Sequence, residues 1–188
     1  MYSTKNNLIL GFHGCKKETL DSILTLQSEM KPSHNDYDWL GSGLYFWENN
    51  YERAKQWAEE HYGENAAVLG AVFHLGKCLD FLDAAYLRLL KPAYDTLNDA
   101  IITSGYGVLP KNSSNQFGTP TYRKLDCAVI NLIIKDATRQ NSPFDSVRGV
   151  FWEGAEAYPN AGFKEKNHIQ VNIINPDCIK GFFLPRQS

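Results

Sequence analysis

Two spacings of apolar positions alternate along the chain and predict its elements. Leu8, Leu10 and Phe12 share one side of an extended stretch that ends at His13-Gly14, while Gly11 and His13 share the other. Thr19, Leu20, Ile23, Leu24 and Leu26 predict a short helix, and Lys31 to Asp38 is dense in turn formers. Gly43-Leu44-Tyr45-Phe46-Trp47 reads as a second strand. Glu48-Asn49-Asn50 then starts a helix over Tyr51 to His61. Ala66 to Leu75 is a buried strand that Cys78 to Asp83 extends or follows. Helical spacing over Leu82 to Thr103 is divided by Pro92, because proline removes a donor and crowds the preceding turn. Ser104 to Thr121 has no apolar period and reads as a long loop. A helix over Pro120 to Gln140, capped by Thr119 or Thr121, and strands at Arg148–Trp152, His168–Ile174 and Ile179–Leu184 complete the prediction.

This mixture lacks a regular strand–helix alternation, so the expected class is α+β. Gly41-Ser42-Gly43 precedes a strand, which is the wrong context for a dinucleotide-binding turn that opens a helix. The 188 residues fit one domain over 1–188, and a chain of this size buries about 70% of its unfolded surface without staples. With 43% hydrophobic and 21% charged residues, the composition excludes disorder as a description of the whole. A net charge of −2 argues against broad electrostatic binding to nucleic acid or anionic lipid. Cys15, Cys78, Cys127 and Cys178 are widely scattered, which predicts free thiols in a reducing compartment rather than a disulfide frame. No apolar run follows Met1, and none is long enough to span a membrane, so a soluble cytoplasmic protein is expected.

Three segments carry candidate chemistry: Phe12-His13-Gly14-Cys15 at a strand end, Gly41-Ser42-Gly43-Leu44-Tyr45-Phe46-Trp47 with its following helix, and His168-Ile169-Gln170-Val171-Asn172 near the C-terminus. In order, these segments resemble the ADP-ribosyltransferase superfamily, in its diphtheria-toxin and poly(ADP-ribose)-polymerase-like branch. His13-Gly14 and Gly43-Leu44-Tyr45-Phe46 match two of the branch's motifs, and the tail from His168 to Leu184 matches its strand–turn–strand pattern. The resemblance implies split antiparallel β-sheets with flanking helices. It implies NAD as substrate, no metal, and transfer of ADP-ribose to a macromolecular acceptor, either nucleic acid or protein. Tyr45 would stack on the cationic nicotinamide, with Trp57 or Tyr51 closing the sandwich. Gly14 would let the backbone approach the carboxamide beside Gly43, and His13 would bond a ribose hydroxyl.

The third motif departs from the family. Alternation puts His168, Gln170 and Asn172 on the polar face of the strand, where the family carries a catalytic Glu. Gln170 or His168 takes that position, and Glu153, Glu156 or Glu165 is left to supply negative charge. Loss of the Glu implies mono-ADP-ribosylation rather than polymer synthesis. The preceding loop, with Glu153, Tyr158 and Phe163 and flanking Lys164 and Lys166, corresponds to the family's acceptor-binding region. A small catalytic domain of this kind fits a toxin–antitoxin or anti-phage effector, with an antitoxin as partner. Two other readings compete with transfer. One is a module that holds NAD or ADP-ribose without turnover, and the other is a hydrolase or nuclease built on His13, His34 and His168. Cys15 is expected to be a small buried thiol, and His34, Asp36 and Asp38 a polar loop.

Overall fold

A computed structural model describes residues 7–114 and 120–186. Strand β1 (Ile9–Lys16) leads into helix α1 (Lys17–Leu24), followed by β2 (Leu44–Glu48) and α2 (Tyr51–Tyr62). Next come β3 (Ala66–Phe73), β4 (Cys78–Asp80), α3 (Ala84–Leu87) and α4 (Leu90–Ser104). A hairpin of β5 (Asn112–Ser114) and β6 (Pro120–Arg123) precedes α5 (Lys124–Arg139), and β7 (Ser146–Phe151), β8 (His168–Ile173) and β9 (Ile179–Phe183) end the chain. The class is α+β.

Seven strands form one sheet in the order β4-β7-β8-β2-β1-β3-β9, antiparallel except for the β4–β7 pair. Two sheets were expected, and hydrogen bonding joins them into one. The junction is narrow. β1 and β2 pair only at Gly11↔Glu48 and Phe12↔Trp47, with one further bond from Asn49 N–H to the Leu10 carbonyl. By contrast, β1 pairs with β3 over its full eight residues.

The register sorts side chains between two faces. Phe12, Tyr45, Trp47, Val68, Gln170, Asn172 and Val147 fall on the face covered by α2 and α5. Phe46, Leu69, Ala71, Phe73, Val171 and Ile173 fall on the other, where α1 adds Leu20 and Ile23. Burial of these apolar side chains is the main stabilising term. On the α1 face Arg148 binds Glu48 through Nε and Nη2, at 2.6 and 2.8 Å, and Asp80 through Nη1 at 3.2 Å.

Three local predictions change. The helix expected from Pro120 begins at Lys124, because residues 120–123 pair with β5 instead. Thr119 lies outside the described residues. The cap comes from across the hairpin, where Asn112 Oδ1 accepts from the Leu125 and Asp126 amides. The break between α3 and α4 falls at Arg88–Leu89, and Pro92 sits in the first turn of α4, where its missing donor costs little.

Candidate functional site

Asn50 opens α2 by accepting from the Arg53 amide, and the inward positions of that helix are Arg53, Ala54 and Ala58. The two alanines let the helix lie close to β1. A Cβ on Gly14 would stand 2.7 Å from the Ala54 carbonyl and 2.9 Å from Trp57 Cε3, so only glycine fits beneath α2. The Leu10 carbonyl points toward β2. Period two therefore turns the main-chain N–H and C=O of Gly14 to the same side, two residues beyond the last β1–β2 pair. Trp57 itself packs on Trp47 at 5.7 Å and stacks on His61 at 4.0 Å. Tyr51 instead meets Phe12 edge to face.

His13 and Tyr45 do not flank a common space. Phe12 and Trp47 are cross-strand partners, so Tyr45 lies on the α2/α5 face and His13 on the α1 face, beside Phe46. They meet through the main chain, where His13 Nδ1–H donates to the Tyr45 carbonyl at 2.9 Å and spans the seam where the strands diverge. Burial lowers the pKa of His13, and the bond to Tyr45 only partly opposes this. The Tyr45 hydroxyl is fixed as well, donating to the Gly41 carbonyl at 2.6 Å and accepting from the Leu40 amide at 2.8 Å. Burial raises its pKa well above the usual phenol value. Gly43 exchanges both main-chain bonds with Ser33, and its bare Cα makes room for the Asn172 side chain. It is therefore a packing residue here.

Strand β8 is interior, between β7 and β2, so His168 and Asn172 on its polar face are buried, and Gln170 between them is half-buried. Asn172 donates to the carbonyls of Leu40, Gly41 and Ser42 and so holds the loop that carries the Tyr45 hydroxyl bonds. His168 lies between aromatic rings, with centroids 5.7 Å from Phe151, 6.2 Å from Trp39 and 6.3 Å from Trp47. Its Nδ1–H donates to the Lys166 carbonyl at 2.7 Å, which leaves a lone pair on Nε2 in the neutral ring. Burial lowers its pKa first of all, and Arg53 and Arg123 push the same way against Glu153 and the Lys166 bond. Gln170 is opposite Trp47 on β2 and Gly149 on β7, on the same face as His168.

Glu153 leaves the expected acceptor loop and enters this cluster. Its Oε2 is 2.9 Å from Arg53 Nη2 and 3.6 Å from His168 Nδ1. Tyr158 and Phe163 stay apart from it, on an exposed excursion closed by the Glu156↔Lys164 bridge. Arg123 lies over Trp39 and Phe151 at 4.6 and 4.9 Å, and burial lowers its pKa. Buried atoms here have no hydrogen-bond partner among the described residues: Trp47 Nε1, Arg53 Nε and Nη1, Arg123 Nε and His168 Nε2. A protein interior seldom leaves so many polar groups unpaired together unless water or a ligand completes them.

The structure thus brings Gly14, Tyr45, Trp57, His168, Gln170 and Glu153 to one face, and sets His13 on the other. Arg53, Trp47, Trp39 and Arg123 were missed from sequence. Arg53 had a signal, since it stands one helical turn before Trp57 on the inward side of α2. The expected buried thiol is found: Cys15 is 4% exposed, and burial raises its pKa to about 11. All four cysteines are free.

No family model and no solved structure matches the chain. An uncharacterized protein of Methanocaldococcus jannaschii is similar to it, 25% identical over 194 residues that span 90% of this chain and 83% of that protein. No helix among the described residues is long and apolar enough to cross a membrane.

Proposed function

We propose that the protein is an NAD-dependent mono-ADP-ribosyltransferase acting on a macromolecular acceptor. The observation that carries this reading is the convergence of three distant segments on one face beside the β1–β2 seam: Gly14, the Tyr45–Trp47 strand with Trp57, and the His168–Gln170 strand. The Gly14 main chain supplies a donor and an acceptor for a carboxamide, and the indoles supply faces for a pyridinium. The ring enters only when Trp57 turns away from Gly14, which it contacts closely in this structure. His13 becomes a positioning residue that holds the seam through the Tyr45 carbonyl.

In the reaction the bond between C1′ of the ribose and the nicotinamide nitrogen breaks. Its electron pair leaves on nicotinamide, an acceptor nucleophile bonds to C1′, and the acceptor loses a proton. Gln170 bonds a ribose hydroxyl. Glu153 brings a carboxylate to this strand face, 3.6 Å from His168 Nδ1, and neutral His168 offers Nε2 to receive a proton.

One observation favours a rival, the module that holds NAD or ADP-ribose without turnover. Glu153 is already paired with Arg53, so its charge is largely compensated. The hydrolase reading finds no such support, since His13 and His168 lie on opposite faces.

Incubation with NAD labelled in the adenosine half, in the presence of cell extract, tests the proposal. Nicotinamide release with label on RNA, DNA or protein is expected, reduced at least tenfold in Gln170→Ala and Trp57→Ala. Saturable NAD binding without release would replace transfer by the binding module, and neither binding nor release would end the reading.

A further inference from the structure

A second space lies on the same face, past the end of β4. It is a cavity of about 590 Å³ between α4, α5 and the rim of β7, within the range that holds small ligands. Its walls include the rings of Trp39 and Phe151, with Leu90 of α4 above and Val129 of α5 below. The roof is loosely seated, because none of the fifteen residues of α4 is fully buried.

Besides Lys91, which is exposed and paired with Asp95 at 2.6 Å, and Tyr94, three polar features line this mainly apolar space. The β4–β7 ladder ends at Asp80↔Arg148, with a last bond from Phe81 N–H to the Arg148 carbonyl. Strand alternation therefore turns the main-chain N–H and C=O of Val150 to the same edge, where β4 offers no partner, and Val150 lines the cavity. Arg123 carries a positive charge, its guanidinium set against Trp39 and Phe151 and its buried Nε without a partner among the described residues. Asp126 lies beside it, 3.4 Å from Arg123 Nη1.

We infer that this cavity binds a nucleoside monophosphate group. A flat base packs against the wall formed by Trp39 and Phe151, whose ring centroids lie 4.7 Å apart, and its edge has the adjacent donor and acceptor that one strand residue can read. A phosphate matches Arg123, and a ribose diol can donate to Asp126. An aliphatic acid would leave the Val150 edge unused, and an uncharged aromatic would leave Arg123 unmatched. The inference is independent of the transferase reading, because its test contains no NAD.

Calorimetric titration of the whole chain with AMP, adenosine, inorganic phosphate and a six-nucleotide single-stranded RNA decides it. AMP binds saturably, adenosine at least tenfold more weakly, and phosphate alone not measurably. Arg123→Gln lowers AMP affinity to that of adenosine. Leu90→Trp fills the cavity from the half-buried roof and removes binding, and Val129→Trp does the same from the floor, each checked by a cooperative melt. RNA binding tighter than AMP and lost in Leu90→Trp supports the site with polymer as the source of the group. Equal binding of AMP and adenosine, unchanged AMP binding in Leu90→Trp, or no binding by AMP or RNA overturns the inference.

Discussion

The two faces of the sheet treat buried charge in opposite ways. On the α1 face Arg148 meets Glu48 with two parallel bonds and Asp80 with a third, and none of its buried nitrogens lacks a partner. On the α2/α5 face, among the described residues, Arg53 has a bond to Glu153 through Nη2 alone, and Arg123, Trp47 and His168 each keep an unpartnered buried atom. A completed network ties β2, β7 and β4 together and leaves nothing for a ligand. An incomplete one is less useful to folding and better suited to binding, because a guest can supply the missing partners.

The comparison is sharpened most by Arg148→Ala. It takes the guanidinium from two carboxylates that are 13% and 14% exposed, and the expected loss is about 3–5 kcal/mol in urea unfolding. A loss below about 1 kcal/mol would show that this network does not hold the strands. Replacing both partners on the other face, as Arg53→Met with Glu153→Leu, is expected to change stability by less than about 1 kcal/mol. Under the transferase reading the same double variant loses label transfer while melting at nearly the parent temperature. Retained transfer would take Arg53 and Glu153 out of the site.

The smallest effect is in the pH dependence of stability. Burial lowers the pKa of both His13 and His168 in the folded chain. Below the ordinary histidine value of about 6.5 the unfolded chain therefore binds protons that the folded chain refuses. Stability is fully present above that pH and falls as the solution is acidified toward the folded-state values. His168→Gln removes its share of the slope and leaves that of His13. An unchanged slope between pH 7 and 5, read from urea midpoints, would show that the His168 ring takes up its proton freely. Arg148, whose pKa is raised chiefly by its bonds to Glu48, stays charged throughout.

Much of the fold was legible because its signals are local. Period two in Leu8–Phe12 and helical spacing from Tyr51 to His61 gave β1 and α2, and Asn50 marked the start of the helix. Residues 120–123 were misread because their pairing partner is β5, across the hairpin, and window-based periodicity cannot register it. The site was legible in part. Alternation placed His168, Gln170 and Asn172 together, and it is the burial of His168 and Asn172 that the sequence did not disclose. The side on which His13 falls depends on the register of β1 against β2, a non-local quantity fixed here by Gly11↔Glu48. Arg123 and Trp39 become neighbours only after the chain has folded back on itself, so no spacing announces them.

The shortness of the β1–β2 ladder also bears on how the molecule opens. Along the seam, two paired positions, one flanking amide and the His13–Tyr45 bond connect β1, β3 and β9 to the remaining four strands, whereas β1–β3 and β7–β8 are zipped along eight and six residues. Amide deuteration of the native protein should therefore proceed in two blocks, one on either side of this ladder. Asn49 and Trp47 would exchange ahead of the paired residues of β3, because the joint parts at a lower free energy than either half unravels.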